Sequence, residues 1–175
     1  MKKLFLLGLF SFFLFVGCNI INDDNDGDDK DYSYVGTWTA SSTEKDGDGT
    51  KYHSYKLILT KTTFVNESNY RRVENDGSVT DEDSDKSLGT IQNLGDYTLR
   101  QILLKQEMDG TMYDVSNESA FRSAYEKDHG EPRTDSEWVP IYKSYTSPND
   151  VKYSISGNKM TVSGHDNTPF VYTKQ

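Results

Sequence analysis

The amino-acid sequence predicts a mainly β fold, an antiparallel up-and-down barrel of about eight to ten strands with one short helix. Three observations carry that expectation. From Tyr52 to Thr60 the side chains alternate, with His53, Tyr55, Leu57 and Leu59 on one face and Ser54, Lys56 and Thr60 on the other; only Ile58 breaks the pattern. Period two marks a strand with one buried face. Turn-forming clusters of Gly, Asn, Asp and Ser recur roughly every 8–12 residues, the spacing of short strands in a meander that closes on itself. The third observation is aromatic usage. Of 8 Phe, five precede Cys18, leaving Phe64, Phe121 and Phe170, whereas all 12 Tyr follow it. So many hydroxyls need hydrogen-bond partners or water, which suits a half-open β structure with a wet interior or rim.

At the N-terminus Lys2 and Lys3 precede an apolar run, Leu4 to Val16, broken only by Gly8 and Ser11. The run is too short for a bilayer-spanning helix of about 20 residues and suits a secretory signal. It closes on Phe15-Val16-Gly17-Cys18, which holds the only cysteine. These residues resemble the lipobox of bacterial lipoproteins. The resemblance implies that the Cys18 thiol takes a diacylglyceryl group and that cleavage makes Cys18 the first residue. Residues 1–17 are then a lipoprotein signal peptide, 18–33 the lipidated cysteine and an acidic tether, and 34–175 the barrel domain. The expected location is the bacterial cell envelope at the outer membrane, with the membrane as partner through the lipid on Cys18. An ordinary signal peptide followed by a free thiol is the alternative. A single cysteine excludes an internal disulfide.

Asn19 to Ser33 sets Asp23, Asp24, Asp26, Asp28, Asp29 and Asp31 against Lys30 alone, and is expected to remain disordered. Acidic residues just past a lipidated cysteine resemble the surface-export signals of some Gram-negative lipoproteins, and a solvated spacer reads equally well. A calcium loop fits poorly, because aligning Gly27 with the EF-hand glycine puts Asn22 at the first ligand position and Ser33 where a bidentate Glu belongs. The formal charge is -9 with a pI near 4.8, and loss of Lys2 and Lys3 takes it to -11. With no basic patch, nucleic acid is excluded as a partner.

The elements follow in order. Tyr34 to Ala40 is a first strand, Glu44 to Gly49 an acidic hairpin turn, and Tyr52 to Thr60 the second strand. Thr62 to Val73, with Phe64 and Tyr70, is its antiparallel partner, and Glu74 to Asp85 reads as a mobile acidic loop. Leu88 to Asn93 and Tyr97 to Lys105 are strands hinged at Gly95-Asp96, with a short strand at Thr111 to Val115. The helix starts at Ser116 or Asn117, buries Ala120, Phe121, Ala124 and Tyr125 at helical spacing, and ends at Gly130 before Pro132. Trp138 to Tyr145 alternates as Trp138, Pro140, Tyr142 and reads as an edge or bulged strand. Val151 to Ser156, Lys159 to Ser163 and Phe170 to Lys174 close the chain, joined by turns at Ser156-Gly157-Asn158 and Gly164 to Asn167.

Gly36-Thr37-Trp38 resembles the Gly-x-Trp signature of lipocalins, and Tyr153 to Val162 resembles the closing strands of lipocalin-like domains in bacterial lipoproteins. The resemblance implies a lipocalin-like barrel in which Gly36 and Trp38 are structural and Trp38 plugs one end. Two features depart from the lipocalin pattern: the late arginine that stacks on that tryptophan is missing, with Lys174 at best a substitute, and the helix falls before the last few strands instead of after them.

Catalysis finds no motif. There is no Gly-x-Ser-x-Gly elbow and no phosphate-binding glycine loop, and Cys18 is committed to lipid. His53, His129 and His165 lie at no metal-ligand spacing, so no enzyme, cofactor or metal is expected. Two binding readings remain. In the first the interior holds a small apolar or amphipathic ligand, lined by His53, Tyr55, Leu57, Leu59, Phe64, Tyr97, Leu99, Tyr153, Ile155 and Tyr172. In the second the barrel is a solid scaffold that meets an envelope or host protein. An eight-stranded barrel has the size for either.

Overall fold

Strand formation follows the period-two pattern along most of the chain. The computed structural model describes residues 31–163 and 169–175. Four strands form an antiparallel meander, β1 (Gly36–Asp46), β2 (Gly49–Leu59), β3 (Thr63–Glu74) and β4 (Val79–Gly95). The next, β5 (Thr98–Met108), continues it, and β6 (Thr111–Asp114) folds back on β5 alone. Two helices, α1 (Glu118–His129) and α2 (Asp135–Thr146), precede β7 (Asn149–Ser156), β8 (Lys159–Ser163) and β9 (Pro169–Lys174). Strand β7 pairs with β5, and β9 pairs with β1, so eight antiparallel strands close a barrel with β6 outside it. Both seams are short. Strand β7 meets β5 over Thr98 to Gln101 against Asn149 to Lys152, and β9 meets β1 at Trp38 and Thr39.

Some stretches differ from the sequence expectation. The first strand runs past Ala40 to Asp46. Glu74 to Asp85 is a hairpin, not a mobile loop. Both the amide and the hydroxyl of Ser78 donate to Asp76 Oδ1, Gly77 supplies a φ of 86°, and β4 begins at Val79. The acidic run extends as a strand paired with β3, where Asp81 and Glu82 stand opposite Arg72 and Arg71. Tyr97 lies in a turn with φ 53°, and β5 starts one residue later.

The second correction is Trp138 to Tyr145, which is helix α2 rather than a strand. A reciprocal capping box between Thr134 and Glu137 opens it. Its buried residues, Trp138 and Tyr145, together with Tyr142, fall at helical rather than alternate spacing. Pro140 sits inside the helix and forfeits one backbone hydrogen bond. Among the described residues there are therefore two helices, where the sequence predicts one. Helix α1 matches its expected caps, with Asn117 accepting from the Ala120 amide and Gly130 in the left-handed conformation.

Two cores result. Inside the barrel, Tyr34, Trp38, Leu57, Leu59, Phe64, Ile91, Leu99, Tyr153, Met160 and Tyr172 belong to one buried cluster. Beneath the helices, Met108, Val115, Phe121, Ala124, Trp138 and Tyr145 form a second, and Leu103 packs against both. Gly89 sits where the β4–β5 register shifts, with the Ile102 carbonyl oxygen 2.1 Å from where a Cβ would stand. Only glycine fits that approach.

Candidate functional site: the barrel interior and its open end

One end of the barrel, the base, gathers the start of β1, the end of β2, the β4–β5 turn and the end of β9. Tyr34 closes it. The Trp38 Nε1–H donates to the Tyr34 carbonyl at 3.0 Å, and the Tyr34 hydroxyl donates to the Lys61 carbonyl at 3.3 Å. Lys174 Nζ stands 5.7 Å from the centre of the Trp38 ring, on the strand paired with β1. Trp38 is fully buried, and Gly36 precedes it with φ 131° at the strand entry. Burial, with Tyr32 and Asp31 nearby, pushes the Tyr34 hydroxyl up to about 12.

Above the base lies a packed apolar layer. Leu57, Leu59, Leu99, Gln101, Val151, Tyr153, Met160 and Val162 surround a gap of about 10 Å³, the space of a single water. Of the expected lining residues, Leu57, Leu59, Phe64, Leu99, Tyr153 and Tyr172 meet in this core, and Ile155 is half-buried against it. Burial raises the Tyr153 hydroxyl to about 12 and drives that of Tyr172 higher still. Tyr97 is not brought inside. Its side chain is exposed in the base turn and meets the edge of the Tyr153 ring at 5.7 Å.

A polar layer follows the apolar one. Asn66, Ser87 and Gln106 are the buried polar residues. Asn66 Nδ2 donates to Ser87 Oγ at 3.0 Å, and Gln106 Nε2 donates to the Asp85 carboxylate. Asn66 Oδ1 has no hydrogen-bond partner among the described residues. The sequence reading missed all three residues, although Asn66 stands two past Phe64 and so on the same face of β3.

At the opposite end, the mouth, the interior becomes aromatic and charged. His53 stacks on Tyr55 at 6.2 Å and contacts Tyr70 at 5.0 Å, while Tyr55 meets Phe170 edge-on at 5.2 Å. Burial lowers the His53 pKa, Glu44 opposes that shift, and Lys51 adds to it. Beyond lie the tips of the two hairpins, where Asp46 binds Lys51 and Arg72, each at 2.8 Å, and Arg72 binds Glu74 at 2.8 Å. Exposed ion pairs of this kind are largely screened by solvent, so they shape the rim more than they stabilise it.

His129 is held by its own helix, with Nδ1 2.9 Å from the Tyr125 carbonyl oxygen and its ring stacked on Tyr125 at 3.8 Å. Among the described residues no group of three His, Cys, Asp or Glu side chains is placed to hold a metal ion. His165, the turn at Gly164 to Asn167 and Cys18 lie outside the described residues. No family model, curated protein or solved structure matches this chain. The likenesses to lipobox and lipocalin residues therefore rest on those residues alone.

Proposed function

We propose that this protein is an envelope lipoprotein, anchored through Cys18, whose solid barrel recognises another macromolecule with its outer surface and mouth, without turnover. The observation that carries this reading is the packed apolar layer, where Leu57, Leu59, Leu99 and Tyr153 of the expected lining surround a gap of only about 10 Å³. A lipid-sized ligand needs a pocket of several hundred Å³, so admitting one would require the core to open. Asp31 enters at the base, where its carbonyl accepts from Asn93 Nδ2, and it lies thirteen residues past Cys18 in the sequence. The tether therefore joins the barrel at its base, the end opposite the mouth and hairpins.

Native mass spectrometry of the Cys18→Ser protein tests the packed-interior reading, because the variant removes the anchor lipid. The expected spectrum shows bare polypeptide, and a lipophilic dye gives no saturable signal. A stoichiometric lipophile retained by the variant overturns the reading in favour of an interior ligand. Metabolic palmitate labelling of the parent tests the anchor separately, and equal labelling of Cys18→Ser refutes it.

A further inference from the structure

Strand β4 is longer than its pairing on one side. Its contact with β5 begins at Ser87 opposite Gln106, beyond which β5 turns away to pair with β6. Val79 to Lys86 therefore pairs with β3 alone, and the side chains from Val79 to Ser84 are exposed. The Ile91 amide donates to Thr62 on the β3 side. Amide direction alternates along a strand, so Glu82, Ser84 and Lys86 turn their backbone groups to the open edge. The Ser84 amide is occupied there only by the carboxylate of its neighbour Asp83, at 2.8 Å.

An unpaired edge of this length, about 26 Å at roughly 3.3 Å per residue, is a template for one more strand. Its charge selects which strand. The edge carries Asp81, Glu82 and Asp83, while Asp85 is engaged by Gln106. Arg72 stands opposite Asp81 but is engaged by Asp46 and Glu74. A second copy of the edge would set carboxylate against carboxylate, which destabilises a ladder.

We propose that the Val79–Lys86 edge of β4 receives an extended segment of a partner protein with lysine or arginine at alternate positions, added as a further strand. Basic residues two apart share one side of the incoming strand, as Asp81 and Asp83 share one side of β4. Main-chain hydrogen bonds supply the affinity and the charge pattern supplies the choice of partner. This inference rests on the recognition reading above and names its surface.

Fluorescence anisotropy of a labelled Lys-Val-Lys-Val-Lys-Val-Lys peptide with the full-length chain tests it. The expected result is saturable binding that weakens as salt shortens the Debye length below about 8 Å. Ser84→Pro removes the edge amide at a position where proline is tolerated, and is expected to weaken binding at least about tenfold. Asp81→Asn with Asp83→Asn is expected to weaken it similarly. If Ser84→Pro disturbs the far-ultraviolet circular dichroism, a peptide N-methylated on its edge-facing amides takes its place. Equal binding by Ser84→Pro or by the methylated peptide, equal binding of a Glu-Val counterpart, or no saturable binding overturns the edge site. The packed-barrel reading falls only on the retained lipophile described above, so the two failures are distinguishable.

Discussion

Replacing Gly89 with alanine tests whether barrel closure between β4 and β5 depends on a missing side chain. A Cβ at this position stands 2.1 Å from the Ile102 carbonyl oxygen and 2.5 Å from Phe64 Cε1, against about 3.5 Å for relaxed contact. The Phe64 ring can turn, but the carbonyl belongs to the backbone of β5. The strand must therefore withdraw by more than about 1 Å. Gly89 has no positive φ, so the cost is steric and not conformational. Overpacking of this kind costs about 1–3 kcal/mol, and each ladder bond loosened at the register shift adds about 1 kcal/mol. The expected loss is about 3–4 kcal/mol, which lowers Tm by about 6–16 °C at 2–4 °C per kcal/mol. Gly157→Ala is the comparison, since its Cβ meets nothing within 4 Å but its φ is +59°; strain alone there costs about 1–2 kcal/mol. Thermal melts followed by circular dichroism decide the matter. A Gly89→Ala protein that melts with its parent, or alongside Gly157→Ala, refutes the steric argument.

Alkaline pH should unfold the barrel through its tyrosines. Tyr34 and Tyr153 are raised by burial from 10.0 to about 12, and Tyr145 and Tyr172 are raised further. The folded state then holds protons that the unfolded state releases, so stability is full below pH 10 and falls as pH rises toward 12. Tyrosinate absorbance should show a group that ionises only with loss of near-ultraviolet dichroism; all twelve titrating together near pH 10 in an intact fold would contradict it. His53 has the opposite sign. Its folded pKa lies below 6.5, so stability is present above that value and declines as pH falls from there toward the folded pKa. In His53→Phe this part of the acid dependence of Tm should vanish, and an unchanged profile would assign it elsewhere. Lys174→Ala should cost about 0.5–1 kcal/mol through the lost cation–π contact with Trp38, read from denaturant melts of Trp fluorescence. No difference from Lys159→Ala would exclude that contribution.

Much of the barrel was legible because strand faces are written with period two. Leu57, Leu59, Phe64, Leu99, Tyr153 and Tyr172 were all expected on interior faces, and all are buried. Helix α1 was legible from Asn117 and Gly130, which act locally. Helix α2 was not, because Trp138, Pro140 and Tyr142 happen to alternate while the decisive Thr134–Glu137 box lies just outside the stretch that drew attention. The β3–β4 hairpin was hidden for a different reason. Asp81 and Glu82 are poor strand formers, and the arginines opposite them become visible only once the register is known. Whether the interior is hollow or filled could not be read at all. Val151, Met160 and Val162 reach Leu57 and Leu59 across about a hundred residues of sequence, and their fit depends on how the eight strands stagger around the barrel.

The two-residue junction of Trp38 and Thr39 with Lys174 and Thr173 has a consequence in time. The meander from β1 to β5 can zip up from local turns, but the ring stays open until its final strand exists and finds its first. That last union closes the ring between the two ends of the described fold, at a loop-closure cost that grows slowly with length. Hydrogen exchange should accordingly find the C-terminal trio of strands least protected and the four N-terminal strands most. A ribosome-bound intermediate lacking only its last few residues would present a gutter, not a barrel.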